Sequence, residues 1–271
     1  MPLKTIALVG CGKMGAALLR GWVKANIARN IDVIEPNGLP QEFADRSIVC
    51  HSTPEDYIRS GQKADILVMA VKPQIMNDVC DSLKPAVGPE ALILSIAAGQ
   101  RIAVFERHFG ASQPVIRTMP NTPAAIGRGI TVAVANAHVT DAQKRQADRM
   151  LQATGLVEWI GDEALLDAVT ALSGSGPAYV FLLIEALAKA GTRAGLPADM
   201  SVRLARQTVI GAAALAEADG GTDAATLRQN VTSPGGTTEA ALRVLMRENG
   251  LEALMIEAVK AATDKSRALR D

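Results

Sequence analysis

The sequence of 271 residues predicts an α/β fold, with a doubly wound parallel sheet over residues 1–162 and an all-α region over residues 163–271. Three observations support this prediction. Short apolar runs alternate with helical segments in the first half, which is typical of parallel strands joined by crossover helices. A glycine-rich loop directly follows the first apolar run. From about residue 163 onward, Ala, Leu and Glu dominate and the runs of β-branched residues stop.

Apolar runs mark the strands of the first half. Several of them are almost continuous in Ile, Leu and Val, a composition typical of strands that are buried on both faces. The strands are predicted at Thr5–Val9, Asp32–Glu35, Asp65–Val71, Ala91–Ile96, Val115–Thr118, Ile130–Ala135 and Leu156–Ile160. The crossover helices are predicted at Lys13–Ala25, Pro54–Ser60, Pro73–Leu83 and Ile102–Arg107.

The second half is predicted to form a helical dimerisation domain. The segment Tyr179–Ala190 is apolar around most of its circumference, and such a helix is buried on all sides. So short a helical region cannot supply all of that burial, so we expect a homodimer; a central helix in a monomeric bundle is the alternative. The helices are predicted at Ala164–Leu172, Pro177–Ala194, Ala198–Ala218, Ala224–Gln229, Thr238–Glu248 and Leu251–Arg267.

Composition excludes several classes of function. Lys plus Arg and Asp plus Glu both number 28, and aromatics make up 3%, so we expect no nucleic-acid partner. Cys11, Cys50 and Cys80 form no CxxC pair, which argues against a disulfide framework or a metal site. The run Leu3–Val9 is too short to span a membrane and no cleavage site follows it, so we expect a cytoplasmic protein without a membrane partner.

The loop Gly10–Gly15 is a GxGxxG motif between a strand and a helix. Its first glycine allows a tight turn, the second lets the backbone approach a pyrophosphate, and the third permits close packing of helix on sheet. The motif predicts binding of NADH or NADPH at the helix N-terminus. The alternative is a glycine-rich turn that serves packing alone.

Glu35 lies twenty residues after Gly15, where a carboxylate accepts hydrogen bonds from the adenosine ribose. Such a group repels a 2′-phosphate, so we expect NADH to be used at least as well as NADPH. Two alternatives stay open: Pro36-Asn37 could turn Glu35 away, and Arg46 could fold back toward a phosphate. A solvated acid at the end of a strand is a further interpretation.

Cys11 lies inside this loop, at a helix N-terminus. That position lowers the pKa of a thiol, so we hypothesise that modification of Cys11 blocks cofactor binding. The alternative is a small buried residue that fills the loop.

Groups that could transfer a proton are scarce. The three histidines, His51, His108 and His138, are interpreted as surface or capping residues. A hydride-transfer enzyme without a proton donor needs a substrate that carries its own proton, and a protonated imine fits because hydride delivery neutralises it.

Two further motifs occur in the helical half. Ser173–Tyr179 (SGSGPAY) precedes the most apolar helix, and Pro177 suits its first turn. Val231–Thr238 (VTSPGGTT) leads into another helix. Its N–H groups and hydroxyls form a natural cradle for a small carboxylate. The alternative is that Thr237 or Thr238 is merely an N-cap.

These motifs together resemble the pyrroline-5-carboxylate reductase family. The resemblance covers nearly the whole chain in order, through GCGKMG at 10–15, AVKPQ at 70–74, MPNTPA at 119–124, SGSGPAY and VTSPGGTT. It implies reduction of the cyclic imine 1-pyrroline-5-carboxylate to L-proline by hydride transfer from NAD(P)H, the last step of proline biosynthesis. It also implies a Rossmann domain over 1–162, a helical dimerisation and substrate domain over 163–271, and dimers that often assemble into rings.

The resemblance also implies roles for individual residues. Lys13 and Met14 help to hold the pyrophosphate, Asn121 braces a loop nearby, and the Thr238 hydroxyl is the catalytic group that meets the ring nitrogen. The cofactor-binding residues are Gly10, Cys11, Gly12, Lys13, Met14, Gly15, Glu35, Ala70, Val71, Lys72, Pro73, Asn121 and Asn230. The substrate-binding residues are Ser233, Gly235, Gly236, Thr237 and Thr238.

Two rival functions differ in what they require of the chain. A β-hydroxyacid dehydrogenase carries a catalytic Lys in the helix after the Gly-Ser-Gly stretch, where this chain has Val180 and Ile184, neither of which transfers protons. A non-catalytic sensor of NAD(P) needs no cradle such as Ser233–Thr238.

Overall fold

The computed structural model describes residues 3–44 and 48–269. The chain divides into two compact units, one formed by Met1–Ser175 with Ala262–Asp271 and the other by Gly176–Ala261. The boundary between residues 162 and 163 stays a prediction. Arg46, considered above as a partner for a phosphate, lies outside the described residues.

The first unit contains an eight-stranded sheet with the order β3-β2-β1-β4-β5-β6-β7-β8. The first six strands follow the order 3-2-1-4-5-6 of a dinucleotide-binding fold, which confirms the predicted fold class. The strands are β1 (Leu3–Val9), β2 (Ala28–Ile34), β3 (Ile48–His51), β4 (Ile66–Met69), β5 (Leu92–Ser95), β6 (Val115–Met119), β7 (Gly129–Ala135) and β8 (Gly155–Trp159).

One pairing departs from the predicted parallel sheet. Strands β6 and β7 are antiparallel, with Arg117 opposite Val134. The connection over residues 120–128 contains only a 3-10 turn, Thr122–Ile126. A parallel return needs a crossover of a dozen or more residues, so this short link forces the chain to double back.

Helices α1 to α6 belong to this unit. Helix α5 (Asp141–Gln152) was not predicted from the sequence because most of its residues are polar. Thr140 and Gln143 form a capping box that marks its start. The helices are α1 (Lys13–Ala25), α2 (Pro54–Arg59), α3 (Met76–Leu83), α4 (Ile102–Phe109), α5 (Asp141–Gln152) and α6 (Leu166–Val169).

The segment Ala164–Leu172, predicted as one helix, is helical but is regular α-helix only over Leu166–Val169. A 3-10 turn leads into α6, which continues as a π-helical turn over Thr170–Gly174. The Thr170 hydroxyl donates to the Leu166 carbonyl at 2.7 Å, and the Ser173 hydroxyl donates to the Val169 carbonyl at 3.1 Å. Such bonds from a side chain to the backbone compete with regular helix geometry.

The hydrophobic core has two parts, one on each face of the sheet. In β1, Ile6 and Leu8 join one cluster, whereas Ala7 and Val9 join the other. All four are buried. This strand is therefore apolar because it is buried on both faces, as predicted from its composition.

The remaining helices leave many large apolar side chains exposed. Phe181 and Leu182 on α7 are 61% and 63% exposed in the single chain, and Ile210 on α8 is 52% exposed. By length and composition alone, the segment Glu163–Arg193 could also cross a membrane. These helices are α7 (Gly176–Arg193), α8 (Ala198–Ala218), α9 (Ala224–Asn230), α10 (Thr237–Leu245) and α11 (Leu251–Ala268).

Candidate active site

The glycine-rich loop is packed tightly against the end of β4. Gly10 has a φ of +93°, and a Cβ at this position would lie 2.8 Å from the Ala70 carbonyl oxygen. Its N–H donates to the Ile34 carbonyl at 2.9 Å. Only glycine satisfies both the conformation and the close approach. The loop is thereby fixed between the carboxyl ends of β2 and β4.

The start of α1 offers unoccupied donors. Gly12 is its N-cap and makes no side-chain capping bond, and a Cβ there would meet no described atom within 4 Å. Within the described chain, the N–H groups of Lys13 and Met14 have no hydrogen-bond partner. Open space and free N–H groups at a helix N-terminus suit a pyrophosphate.

Glu35 follows β2 directly and its carboxylate is directed at the glycine-rich loop. Oε2 accepts from the Cys11 N–H at 2.8 Å, and Oε1 accepts from the Asn37 N–H at 3.2 Å and from its Nδ2 at 3.0 Å. Asn37 therefore holds the carboxylate beside the loop instead of turning it away. A negative charge thus lies beside the phosphate-binding segment.

A buried hydrogen-bonded pair, His51 and Asp32, lies in the strands next to Glu35. His51 Nε2 is 2.8 Å from Asp32 Oδ1, and the two side chains are 8% and 4% exposed. The Tyr57 ring contacts the His51 ring edge-on, with 5.3 Å between ring centroids. The interpretation of His51 as a surface or capping residue is wrong, because it is buried on β3. Its carbonyl accepts from the Glu35 N–H at 3.0 Å, so this cluster supports the strand end that carries Glu35.

Cys11 does not have the activated thiol that its position suggested. Burial, followed by the nearby Glu35 carboxylate, raises the pKa of Cys11 to about 11. Removal from water and the nearby negative charge both disfavour the thiolate. The hypothesis of a reactive loop cysteine is therefore corrected to that of a buried residue that fills the loop.

Ala70 directly follows β4, and its N–H donates at 2.8 Å to the carbonyl of Val9, the last residue of β1 before the loop. Val71 and Pro73 after it are partly buried and Lys72 is exposed. Lys72 is the N-cap of a 3-10 turn that begins at Pro73. This segment therefore lies at the carboxyl edge of the parallel strands, where nucleotides bind in such sheets.

The two predicted asparagines lie in different units. Asn121 Oδ1 accepts from the Ile130 N–H at 3.0 Å, which ties the turn after β6 to the start of β7. Asn230 is the last residue of α9 and is exposed.

The loop Ser233–Thr238 in the second unit is a tight turn at the start of α10. The Gly236 N–H donates to the Ser233 carbonyl at 3.0 Å, and Gly235 has a φ of +71°. The N-cap is Gly236, without a side-chain capping bond, so the alternative that Thr237 or Thr238 caps the helix is wrong. In the described part of the chain, the hydroxyls of Ser233, Thr237 and Thr238 and the N–H groups of both threonines have no partner.

One residue of this loop region was missed in the sequence. Glu239 lies in the first turn of α10 and its Oε2 accepts from the Gly235 N–H at 2.5 Å. An acidic residue at the third position of a helix often reaches back to accept a hydrogen bond from a backbone N–H that precedes the helix, and this position could have indicated Glu239. The predicted carboxylate cradle therefore already contains one carboxylate of the chain.

Comparison with known proteins covers both units. A family model described as pyrroline-5-carboxylate reductase dimerisation matches residues 163–269, and one described as NADP oxidoreductase, coenzyme F420-dependent, matches residues 5–99. A pyrroline-5-carboxylate reductase of Pseudomonas aeruginosa is 43% identical over 272 aligned positions, covering 100% of this chain and 98% of that protein. The chain belongs to the pyrroline-5-carboxylate reductase family.

Solved structures of the pyrroline-5-carboxylate reductase family agree with this assignment. The Coxiella burnetii enzyme superposes with a TM-score of 0.89 at 35% identity, covering 98% of both chains. The Plasmodium falciparum enzyme, solved with NADP bound, gives 0.83 at 31% identity and covers 99% of this chain and 98% of its own.

Proposed function

We infer that this chain is an oxidoreductase acting on a C=N bond, which reduces 1-pyrroline-5-carboxylate to L-proline with NADH or NADPH. The observation that carries this conclusion is the 43% identity over the whole chain to a curated pyrroline-5-carboxylate reductase. The interpretation that the three histidines are not catalytic is consistent with it, because an iminium substrate brings its own proton.

The loop at Gly10–Gly15 fits the cofactor. The free N–H groups of Lys13 and Met14 and the open space beside Gly12 accept the pyrophosphate, and Glu35 accepts hydrogen bonds from the adenosine ribose. Ala70, Val71, Lys72, Pro73, Asn121 and Asn230 are proposed as further cofactor contacts. When bound, the nicotinamide supplies a hydride to the imine carbon.

The loop at Ser233–Thr238 is proposed to bind and orient the substrate. The free N–H groups of Thr237 and Thr238, with the Ser233 hydroxyl, hold its carboxylate at the positive end of the α10 dipole. Gly235 and Gly236 keep side chains out of this cradle. The protonated ring nitrogen donates to the Thr238 hydroxyl oxygen, which fixes the orientation of the C=N bond.

The assembly is proposed to be a homodimer made by the helical unit, in a ring of dimers, with an active site that needs two chains. The exposed side chains of Phe181 and Leu182 would be covered by the partner, because large apolar side chains exposed in such number along the helices favour an interaction site. The family model for dimerisation over residues 163–269 supports this assembly. The three free cysteines suit a reducing compartment, and we propose the cytoplasm.

A turnover assay separates this function from that of a non-catalytic NAD(P) sensor. We expect 1-pyrroline-5-carboxylate to cause oxidation of NADH over many turnovers per chain, with proline formed in equal amount. A sensor binds NADH without consuming it. Oxidation limited to one equivalent per chain, or none, contradicts the proposal.

A further inference from the structure

The first turn of α10 carries an acid that competes for the substrate cradle. Glu239 is at the third position of the helix, and its Oε2 accepts from the Gly235 N–H at 2.5 Å. The side chain is 43% exposed and its other oxygen is 3.9 Å from Arg243 Nη2. The strong contact of this carboxylate is therefore with the loop backbone, and the contact with the arginine is weak.

This hydrogen bond fixes the shape of the loop. The Gly235 backbone has a φ of +71°, and a glycine, which lacks a Cβ, reaches other conformations at little steric cost. The bond from Glu239 holds the Gly235 N–H toward the helix. The N–H groups of Thr237 and Thr238 remain without a partner in the described chain and stay available to a second carboxylate.

Two effects of Glu239 on an anionic ligand oppose each other. Holding Gly235 keeps the cradle in one conformation, so that binding does not have to order it. The negative charge of Glu239 repels a second carboxylate at the same helix N-terminus. A glutamine retains a carbonyl oxygen that accepts from Gly235 but lacks the charge, so it separates the two effects.

We propose that Glu239 is a positioning residue that pre-forms the carboxylate cradle by binding the Gly235 N–H. The proposal rests on the proposed function, since it assigns the cradle to the substrate carboxylate. A purely structural role is the alternative, in which Glu239 stabilises α10 as a helix cap or through Arg243. That role predicts lower thermal stability without a selective effect on the imine substrate.

Steady-state kinetics of Glu239→Ala, Glu239→Gln and the matched control Arg243→Ala test the proposal. We expect Glu239→Ala to raise the KM for 1-pyrroline-5-carboxylate and the inhibition constant of L-proline by about 3- to 10-fold, because the loss of one charge-assisted hydrogen bond outweighs the relief of a repulsion that solvent screens at this exposed site. The KM for NADH stays unchanged. Glu239→Gln keeps the substrate KM at or below the unmodified value, and Arg243→Ala leaves it unchanged.

Three results would overturn the proposal. They are an unchanged substrate KM in Glu239→Ala, an equal rise in Arg243→Ala, or a rise in both KM values together with a lower melting temperature. If Glu239→Ala does not fold, a raised substrate KM in folded Glu239→Gln decides against the proposal. Failure of the proposed function is distinct from these results, because the unmodified chain would then not turn over the imine.

Discussion

Replacing Glu35 is expected to change which nicotinamide cofactor the chain prefers. Glu35→Gln removes the negative charge but keeps an oxygen that accepts from the Cys11 N–H. Glu35→Ser removes both the charge and the hydrogen bond to the loop, which is 2.8 Å long in the unmodified chain. Both variants should raise the use of NADPH relative to NADH, and Glu35→Ser should also weaken the binding of NADH.

The size of the effect follows from the charge beside the loop. Two unit charges about 4 Å apart repel by roughly 4 kcal/mol at an effective dielectric of about 20. Solvent screening and rearrangement at this partly exposed site reduce that to about 1–2 kcal/mol. The ratio of kcat/KM for NADPH to that for NADH should therefore rise by about 5- to 30-fold in Glu35→Gln.

The assay is kcat/KM for both cofactors at saturating imine in the unmodified chain and both variants. In the unmodified chain we expect NADH to be used at least as well as NADPH. A strong preference of the unmodified chain for NADPH would refute the reasoning, because Glu35 would then not face the ribose. An unchanged cofactor ratio in Glu35→Gln would refute it equally.

Three further outcomes are expected. Thr238→Ala should lower kcat by about 10- to 100-fold, because it removes a charge-assisted hydrogen bond, and should leave the melting temperature unchanged. Thr238→Ser keeps a hydroxyl and should retain most of the rate. Normal kinetics in Thr238→Ala would show that Thr238 does not orient the ring nitrogen. At pH 8, iodoacetamide should label the exposed Cys50 before Cys11, because a pKa of about 11 leaves only about one thousandth of the buried Cys11 as thiolate; fast labelling of Cys11 would contradict its burial. Light scattering at assay concentrations should detect no monomer, and a fully active monomer would show that one chain suffices.

The sequence predicts the fold best where burial dominates. The runs that form β4 and β5 are buried along their whole length, so their composition identifies them without ambiguity. Strand β3 was missed because two of its four residues are exposed and its composition is mixed. The polar start of β2 at Ala28 was missed for the same reason, since its stability comes from pairing with β1.

Glu35 and the glycine-rich loop lie together, as their spacing in the sequence indicates, but the side-chain contacts around them could not be predicted from the sequence. The spacing of the three glycines and the distance of twenty residues from Gly15 to Glu35 are required by the backbone geometry of the fold, so both can be recognised in the sequence. The direction of the Glu35 carboxylate depends on Asn37, and the burial of His51 depends on Asp32 in the neighbouring strand. Such side-chain partners are fixed only when the strands pair. For the same reason, the raised pKa of Cys11 could not be read from its place in the loop.

The most direct test of the account follows the hydride itself. The chain is supplied with 1-pyrroline-5-carboxylate and with NADH that carries deuterium at the transferable position of the nicotinamide ring. We expect L-proline with one deuterium on the ring carbon that was the imine carbon, detected by mass spectrometry and NMR, in amounts equal to the oxidised cofactor. Proline without the label, or oxidised cofactor without proline, would contradict it.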